Sequence, residues 1–319
     1  MDKQFLSCDW GTSSFRLLLV NAESGEIIHS LYTQEGVGVL FRHWQGLNTT
    51  EDKETFFLHY LGKQVTSFHA LAGSGFSPEK IIISGMASAS IGMRELPYAT
   101  LPFSLDGTNA VIDHIFREEL CPYPVVLVSG VKSDDDVMRG EETQMLGLRE
   151  RVGMDSAVCV LPGTHAKHIF AEAGKITGFR TYMTGEIFQL LQKQSILAAS
   201  VAEEASGWDK NAFCEGVHRA QKQPLLQSLF SVRTGSLFGE RDLRQGYHYL
   251  SGLLIGSEVA GMEITPAQKI ILSAPERLRE AYKTALEVFG YENQTEVLSS
   301  EENNHLALHG HLQINRSVY

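Results

Sequence analysis

A short polar segment between two apolar strands constrains this chain more than any other feature of its sequence. Residues 5–8 and 15–20 are apolar runs of the kind that form buried strands, and Asp9–Ser14 connects them. The two strands are therefore expected to lie side by side and to be joined by a tight hairpin. Gly11 supplies the backbone freedom that other residues lack in such a turn.

The residues of this turn are also suited to binding phosphate. Thr12 and Ser13 follow Gly11 and offer hydroxyls and exposed N–H groups that can surround phosphate oxygens. Asp9, at the end of the first strand, is placed to hold a hydrated Mg²⁺ that faces those phosphates. An ordinary hairpin without a ligand explains the same residues. A second turn of this kind would favour the phosphate-binding interpretation.

Such a second turn occurs at Pro162–His165. An apolar strand, Val158–Leu161, precedes it and another follows, so the pattern recurs about one domain length further along the chain. Gly163 and Thr164 are the candidates for binding phosphate here, and His165 is expected to line the phosphate or sugar side of the site. Two such turns facing each other would hold a nucleotide between them.

The pair of turns resembles the two phosphate loops of the actin-like ATPase superfamily, which includes sugar kinases, actin and chaperone ATPases. Longer segments are similar to the 2-dehydro-3-deoxygalactonokinase family. They are residues 136–144, 181–188, 229–234 and 249–258. The resemblance implies an α/β fold with two ribonuclease-H-like (actin-like ATPase) domains and an interdomain nucleotide cleft.

The resemblance also implies an activity. The family transfers the γ-phosphoryl group of ATP, with Mg²⁺, to the terminal hydroxyl of a 2-keto-3-deoxy sugar acid, most like 2-dehydro-3-deoxy-galactonate. Three alternatives stay open: a kinase for another sugar, a phosphohydrolase of the same superfamily that uses Glu141 to activate water, and a nucleotide-sensing regulator. A sugar pocket argues against the hydrolase. The regulator lacks a recognisable DNA-binding helix pair or basic appendage in this sequence.

The length and composition fit two domains. The chain has 319 residues, 43% of them hydrophobic, which is enough for two cores. We expect an N-terminal domain over residues 1–130, with the sugar-binding loop, and a C-terminal domain over residues 131–319, with a helical insert and the adenosine site. The formal net charge of −11 disfavours binding to nucleic acid or anionic membranes.

The cellular location follows from segments that the sequence lacks. It contains no apolar run long enough for a signal-peptide core or a membrane span, and its four cysteines are scattered in the way typical of reduced thiols. A cytoplasmic protein is therefore expected. Whether it is a monomer or a homodimer is left open by the sequence.

Sugar recognition is expected in the loop Ser84–Tyr98, which follows an apolar strand. Ligands of open α/β sheets usually bind outside the carboxyl ends of strands, although an ordinary surface loop would have the same composition. The family typically has a basic or amide residue where Ser90 stands and Trp where Met93 stands. The candidate substrate contacts are Ser88, Ser90, Glu95 and Tyr98.

An acidic segment contains the candidate catalytic groups that the resemblance singles out. Asp136 is the first candidate for the base that takes the hydroxyl proton. Glu141 is the second, because the dipole of the helix that begins there would lower its pKa and weaken it as a base. Arg139 would neutralise charge on the phosphoryl group or on the sugar carboxylate. Acidic residues at a helix start otherwise often only complement the dipole.

Two further expectations concern helices. Gly252 and Gly256 lie at helical spacing and would let a flat adenine approach a helix backbone, although close packing of two helices explains them about as well. A polar helix is expected around residues 108–119.

Overall fold

The computed structural model describes residues 3–47, 50–204 and 207–318. The chain divides into two compact units, each assembled from separate segments. Unit 1 comprises Met1–Gly153, Gly174–Thr177 and Asn304–Tyr319, and unit 2 comprises Met154–Ala173 and Gly178–Asn303. This division differs from the expected boundary after residue 130, because residues 131–153 and the C-terminal segment pack with unit 1.

Unit 1 is built on a mixed sheet. Its strands are β1 (Gln4–Trp10), β2 (Phe15–Asn21), β3 (Ile27–Thr33), β4 (Pro78–Gly85), β5 (Ala99–Thr100), β6 (Phe103–Ser104), β7 (Ile112–Ile115), β8 (Val125–Val128), β9 (Val131–Lys132) and β10 (Val137–Met138). The main sheet has the order β3-β2-β1-β4-β8-β7. β1 and β3 are antiparallel to β2, whereas β1, β4 and β8 run parallel. The parallel strands are continuous apolar runs because both of their faces are covered.

The helices of unit 1 that precede residue 154 follow from sequence periodicity and capping. They are α1 (Val37–Gly46), α2 (Lys53–Ala72), α3 (Glu141–Gly147) and α4 (Arg149–Val152). α2 begins after Asp52, whose carboxylate accepts the N–H of Thr55 at 3.0 Å. Apolar residues recur along α2 at helical spacing, and Phe57, Leu61, Val65 and Phe68 are buried in the core of unit 1, whereas Leu71 near the end of the helix is exposed.

Unit 2 combines a second sheet with a group of helices. Its elements are β11 (Ala157–Leu161), β12 (Ala166–Glu172), β13 (Lys175–Tyr182), α5 (Thr184–Gln194), α6 (Lys210–Lys222), α7 (Leu225–Leu237), α8 (Leu243–Ala260), β14 (Lys269–Leu272), α9 (Glu276–Val288) and β15 (Thr295–Val297). The strands are ordered β15-β14-β11-β12-β13, with β11 antiparallel to β12 and parallel to β14. The predicted helical insert is present as α5 to α8.

The two sheets share one topology. β11, β12 and β13 correspond in order to β1, β2 and β3, and the parallel strands β14 and β15 correspond to β4 and β8. Each sheet therefore starts with a hairpin and then adds two parallel strands on the other side of its first strand. This ribonuclease-H-like arrangement occurs twice, which confirms the predicted two-domain, actin-like ATPase fold.

The prediction of a polar helix around residues 108–119 is wrong. β7 occupies part of this segment and pairs antiparallel with β8 at the edge of the sheet. The physical reason is that Val111 and Ile112 are β-branched and that the backbone groups of β8 would otherwise lack partners on that side. Local polarity gave no sign of this tertiary pairing.

The last helix, α10 (Ser300–Val318), explains why unit 1 includes the C-terminal segment. Ser7 Oγ on β1 lies 2.7 Å from His311 Nδ1 on α10, and both side chains are buried. Leu312 of the same helix packs closely on Gly25: its Cδ1 lies 3.0 Å from the position that a Cβ atom on Gly25 would occupy. Within the ranges that the structure describes, no helix is long and apolar enough to cross a membrane.

Candidate active site

The first predicted turn lies between β1 and β2 and is held against the start of α1. The N–H of Gly11 donates to the Ser14 carbonyl at 3.0 Å and closes the turn. The N–H groups of Val37 and Gly38 donate to the Gly11 and Thr12 carbonyls, each at 2.9 Å. A helix N-terminus has backbone N–H groups without partners in the helix, and here two of them bind the turn.

Gly36, which precedes α1, makes this close contact sterically feasible. A Cβ atom at this position would lie 2.4 Å from Ser14 N and 2.4 Å from the Thr12 carbonyl oxygen. No side chain fits at such distances, so the turn and the helix could not approach as they do. Gly36 therefore determines the position of the turn.

The second predicted turn is held in the same way. The N–H of Glu186, in the first turn of α5, donates to the Thr164 carbonyl at 3.0 Å. A Cβ atom on Gly185 would lie 2.4 Å from the Gly163 carbonyl oxygen. His165 is half-exposed, and its Nε2 lies 2.5 Å from a Glu186 carboxylate oxygen. Both turns thus lie at a helix N-terminus, where anions bind favourably.

Asp9 lies near the carboxyl end of β1. Its neighbour in register on the parallel strand β4 is Ser84, whose Oγ is buried and has no hydrogen-bond partner. The Arg16 guanidinium is 3.8 Å from the Asp9 carboxylate, of whose side chain 28% is exposed. Burial raises the pKa of Asp9, and the charge of Arg16 opposes that rise. The carboxylate is therefore only partly compensated by the protein.

The structure brings three of the predicted substrate and catalytic residues of unit 1 together. Arg139 Nη1 donates to Ser88 Oγ at 2.6 Å, and the guanidinium lies over the Tyr98 ring at 4.1 Å. Arg139 Nη2 also donates to the Leu96 carbonyl at 3.4 Å. Arg139 Nε is buried without a hydrogen-bond partner. The expected loop Ser84–Tyr98 therefore surrounds a cation.

Two other predicted contacts lie elsewhere on this loop. Ser90 and Glu95 are exposed, and the Ser90 carbonyl accepts a hydrogen bond from Lys53 Nζ. Glu95 acts on the same lysine through its charge and raises the lysine's pKa against the larger, lowering effect of burial. Neither side chain shares a hydrogen bond with the Arg139 guanidinium.

The two candidate bases occupy different surroundings. Asp136 lies in the turn between β9 and β10, where its carboxylate accepts the N–H of Val137 at 2.7 Å. Glu141 begins α3, and its carboxylate accepts the backbone N–H of Arg139 at 3.0 Å. Gly140, which precedes α3, packs at the end of β4, where a Cβ atom on it would lie 3.3 Å from Gly85 Cα. Glu141 is thus tied to the Arg139 backbone.

Glu142 belongs to the acidic segment that the family resemblance singles out, although no catalytic role was predicted for it. It is buried and accepts the Gly140 N–H at 2.7 Å and the Thr143 hydroxyl at 3.0 Å. Burial, and then the charge of Glu141, raise its pKa to about 7. Nothing in the sequence indicated this burial.

A cavity of about 350 Å³ in unit 2 begins at the second turn. Gly163 and Thr164 lie at its wall, and the rest of the lining comes from α5, α8, α9 and the two carboxylate residues Glu203 and Glu204. Its size is in the range of small-molecule sites. Sequence reasoning did not identify the other side chains of the lining, because three helices far apart in sequence supply them. They include Gln189, Lys193, Tyr247, Ser251, Leu254 and Arg277.

Gly252 and Gly256 do not line this cavity, which corrects their expected role as adenine contacts. They lie on the face of α8 that packs against α6. A Cβ atom on Gly252 would be 2.1 Å from the Phe213 carbonyl oxygen, and one on Gly256 would be 2.9 Å from Val217 Cα. The glycines allow close helix packing, which was the alternative explanation of their spacing. Ser251 and Ile255, beside them, reach the cavity.

Two ribonuclease-H-like units, each with a polar turn held at a helix N-terminus, define a protein of the actin-like ATPase class. The chain belongs to the 2-keto-3-deoxy-galactonokinase family, whose model matches residues 9–308. It is therefore a sugar-acid kinase, as the resemblance of the turns and longer segments implied.

Named relatives extend over nearly the whole chain. The chain is 33% identical over 298 residues to a "Probable 2-dehydro-3-deoxygalactonokinase" of Rhizobium meliloti (strain 1021), with 90% of each chain covered. It is 29% identical over 295 residues to the 2-dehydro-3-deoxygalactonokinase of Escherichia coli (strain K12), with 91% of each covered. A crystal structure titled "putative 2-dehydro-3-deoxygalactonokinase protein from Sinorhizobium meliloti" matches at a TM-score of 0.77 and 29% identity, over 95% of this chain and 94% of that one.

Replacing Gly36 with alanine is expected to lower turnover about tenfold or more, because the turn must shift to admit the Cβ atom and small displacements of binding groups reduce rates strongly. The strain should also cost about 1–3 kcal/mol of stability. Gly46→Ala is the matched control, since Gly46 lies in the same helix with no atom within 4 Å of its Cβ position. Coupled ADP-release assays and thermal melting measure both effects. Equal turnover of the two variants would contradict the steric role of Gly36.

Proposed function

We propose that this kinase transfers the γ-phosphoryl group of ATP to the terminal hydroxyl of 2-dehydro-3-deoxygalactonate or a closely related 2-keto-3-deoxy sugar acid. The names of its relatives support this substrate class. The observation that carries the proposal is the buried, unpartnered Nε of Arg139 beside Ser88 and Tyr98. A guanidinium with a free donor binds a carboxylate, which a sugar acid has and a neutral hexose lacks.

ATP is proposed to bind in the cavity of unit 2, with its phosphates at Gly163 and Thr164. The N-terminus of α5 supports this placement, because its dipole favours anions. Lys193 and Arg277 in the cavity wall add positive charge, which Glu203 and Glu204 in the same wall oppose. Apolar and aromatic side chains of α8 and α9, such as Tyr247 and Leu278, suit the flat face of a purine.

Asp9 is proposed as the protein ligand of Mg²⁺. Over the residues that the structure describes, no group of three or more His, Cys, Asp or Glu side chains could hold a metal ion. Mg²⁺ bound with a nucleotide commonly uses one or two carboxylates together with waters and phosphates. The partly compensated Asp9 carboxylate fits that donor set, with the hydroxyls of Thr12 and Ser13 in the same turn. When bound, Mg²⁺ neutralises charge on the transferring phosphates.

Two carboxylates are candidates for the base, Asp136 and Glu141. Asp136 accepts a backbone hydrogen bond within its own turn, outside any helix. Glu141 is the first residue of α3, and its carboxylate accepts the backbone N–H of Arg139. The proposal keeps Asp136 as the first candidate for accepting the hydroxyl proton and gives Glu141 a positioning role through the backbone of Arg139.

The two candidate bases are separated by a pair of variants. Asp136→Asn should lose roughly a hundredfold to ten-thousandfold in turnover, which is the usual contribution of a general base, while ATP still binds. Glu141→Gln should lose less. Asp9→Asn is the reference for a metal defect, because its loss should be relieved in part by higher Mg²⁺. Full loss in Glu141→Gln with little loss in Asp136→Asn would reverse the roles.

Arg139→Lys should raise the KM for the sugar acid about tenfold to a hundredfold and leave the KM for ATP nearly unchanged, because lysine keeps the charge but not the planar donor set. Arg94→Lys is the control, because Arg94 lies in the loop that surrounds Arg139 and its guanidinium already binds Glu54 and Asp113. ADP release is measured with 2-keto-3-deoxy sugar acids, plain hexoses and no sugar. Faster turnover of hexoses would overturn the substrate assignment, and sugar-independent turnover would favour a phosphohydrolase.

A homodimer formed through the outer face of α7 is also proposed. Val232 and the small residues Ser228 and Gly235 face the protein, while Leu226, Phe230 and Leu237 share the opposite face and are 85%, 56% and 60% exposed. The one charged residue of the helix, Arg233, donates to Ser200 Oγ. Two antiparallel copies of the helix would set Leu226 of each against Leu237 of the other.

Light scattering tests this interface. The wild-type protein should have twice the monomer mass, and Phe230→Glu should have the monomer mass with its fold retained. Phe116→Glu, at a similarly exposed phenylalanine of unit 1, is the control and should stay dimeric. A monomeric wild type would refute the interface.

A cytoplasmic location, which fits the four free cysteines, is also proposed and would be checked by cell fractionation.

A further inference from the structure

A buried polar cluster lies beside the cavity of unit 2 and is centred on Glu258 of α8. The Glu258 carboxylate accepts hydrogen bonds from His168 Nε2 at 2.8 Å, from the Tyr282 hydroxyl at 2.7 Å and from the Thr184 hydroxyl. Glu258, Tyr282 and His168 are 2%, 1% and 0% exposed. The three donors come from β12, α9 and α5, so one carboxylate joins four elements.

Stability alone does not account for a carboxylate in this place. Burying a charge is costly unless it is fully hydrogen-bonded, and well-packed apolar residues are often as stable as a buried ionic cluster. The cluster moreover leaves His168 Nδ1 buried without a partner. Two of its members, Thr184 and Tyr282, lie in the cavity wall itself. The arrangement therefore points to a role in the shape of the cavity.

A short path connects Glu258 to the second turn. Thr184 is the first residue of α5, and the next residue, Gly185, packs directly on the Gly163 carbonyl. Glu186 then donates its N–H to the Thr164 carbonyl. A carboxylate that fixes Thr184 therefore fixes the start of α5 and, through it, both carbonyls of the turn.

We propose that Glu258 is a positioning residue for the nucleotide: by holding Thr184 and Tyr282, it sets the distance between the phosphate-binding turn and the α9 wall of the cavity. This inference rests on the proposed function, because it takes the cavity to be the nucleotide site. In this inference Glu258 does not contact ATP. Holding Thr184 and Tyr282 in place raises the affinity for the nucleotide and lowers the KM for ATP.

The principal test compares Glu258→Gln with the wild type by calorimetric titration of ADP into the full-length protein. Glutamine keeps the size of the side chain but turns an N–H₂ group toward hydrogen-bond donors, so the cluster must rearrange. We expect ADP affinity per folded molecule to fall about tenfold or more, equivalent to about 1.4 kcal/mol or more. At saturating ATP, the KM for the sugar acid should change less than about twofold.

Thr284→Val is the matched control. Thr284 lies on α9 two residues after Tyr282, is fully buried, and its Oγ1 has no hydrogen-bond partner. This variant should bind ADP as the wild type does. Tyr282→Phe removes one donor without a change of shape, and it keeps the test decisive if Glu258→Gln does not fold. Its ADP affinity should also fall, by a smaller factor.

The outcomes separate the inference from the function on which it rests. ADP binding by Glu258→Gln and Tyr282→Phe within about twofold of the wild type, with only the melting temperature lowered, would show that the cluster is merely structural and would overturn the proposal. Ser251 lies in the cavity wall, and Ser251→Trp places a large side chain in the cavity, which tests the location of the nucleotide independently. If that variant binds ADP normally, the nucleotide site is elsewhere, and the proposed function fails at that point together with the inference.

Discussion

The contact between a polar turn and the N-terminus of a helix is the interaction on which the rest of this structure depends. In unit 1 the carbonyls of the turn accept the first N–H groups of α1, and in unit 2 they accept an N–H of α5. Each contact brings backbone against backbone and therefore requires a glycine on the helix side. The phosphate binding proposed for these turns therefore falls to their hydroxyls and to N–H groups other than that of Gly11, which closes the first turn.

The two carboxylates that follow Arg139 in sequence bind backbone groups. The Glu141 carboxylate accepts the Arg139 N–H, and the Glu142 carboxylate accepts the Gly140 N–H. Glu142, with a pKa of about 7, carries only a partial charge near neutrality. Tyr98 covers one face of the Arg139 guanidinium without neutralising it. If Arg139 binds the substrate carboxylate as proposed, an ionised carboxylate held against its guanidinium would compete with that substrate.

Local patterns predicted the parts of the fold that depend on local chemistry. The hairpins at Gly11 and Gly163 and the recurrence of the turn follow from short stretches of sequence, and the structure confirms them. The strand β7 was missed because its pairing with β8 outweighs the polarity of its segment. The boundary of the units was missed because α10 packs on β1, a contact across almost the entire sequence.

The same distinction between local patterns and distant contacts applies to the candidate site. Ser88, Tyr98 and Arg139 lie together, so the loop after β4 surrounds a cation, and its part in sugar recognition stays a prediction. The cavity lining and the Glu258 cluster were not predicted. Thr184 and Glu258 lie in segments that resemble the family, but no local pattern places two side chains from distant helices in contact. The spacing of Gly252 and Gly256 fits two kinds of close approach, and only the position of α6 distinguishes between them.

The return of α10 to unit 1 has a consequence for how the protein is made. All of unit 2 lies within the span Met154–Asn303, which is synthesised before the part of α10 that belongs to unit 1. Unit 2 can thus complete its core while unit 1 still lacks the helix that covers Ser7 on its central strand. Domains normally fold as units in the order of synthesis, N-terminal first. In this chain, unit 1 receives its last helix only after all of unit 2 has been made.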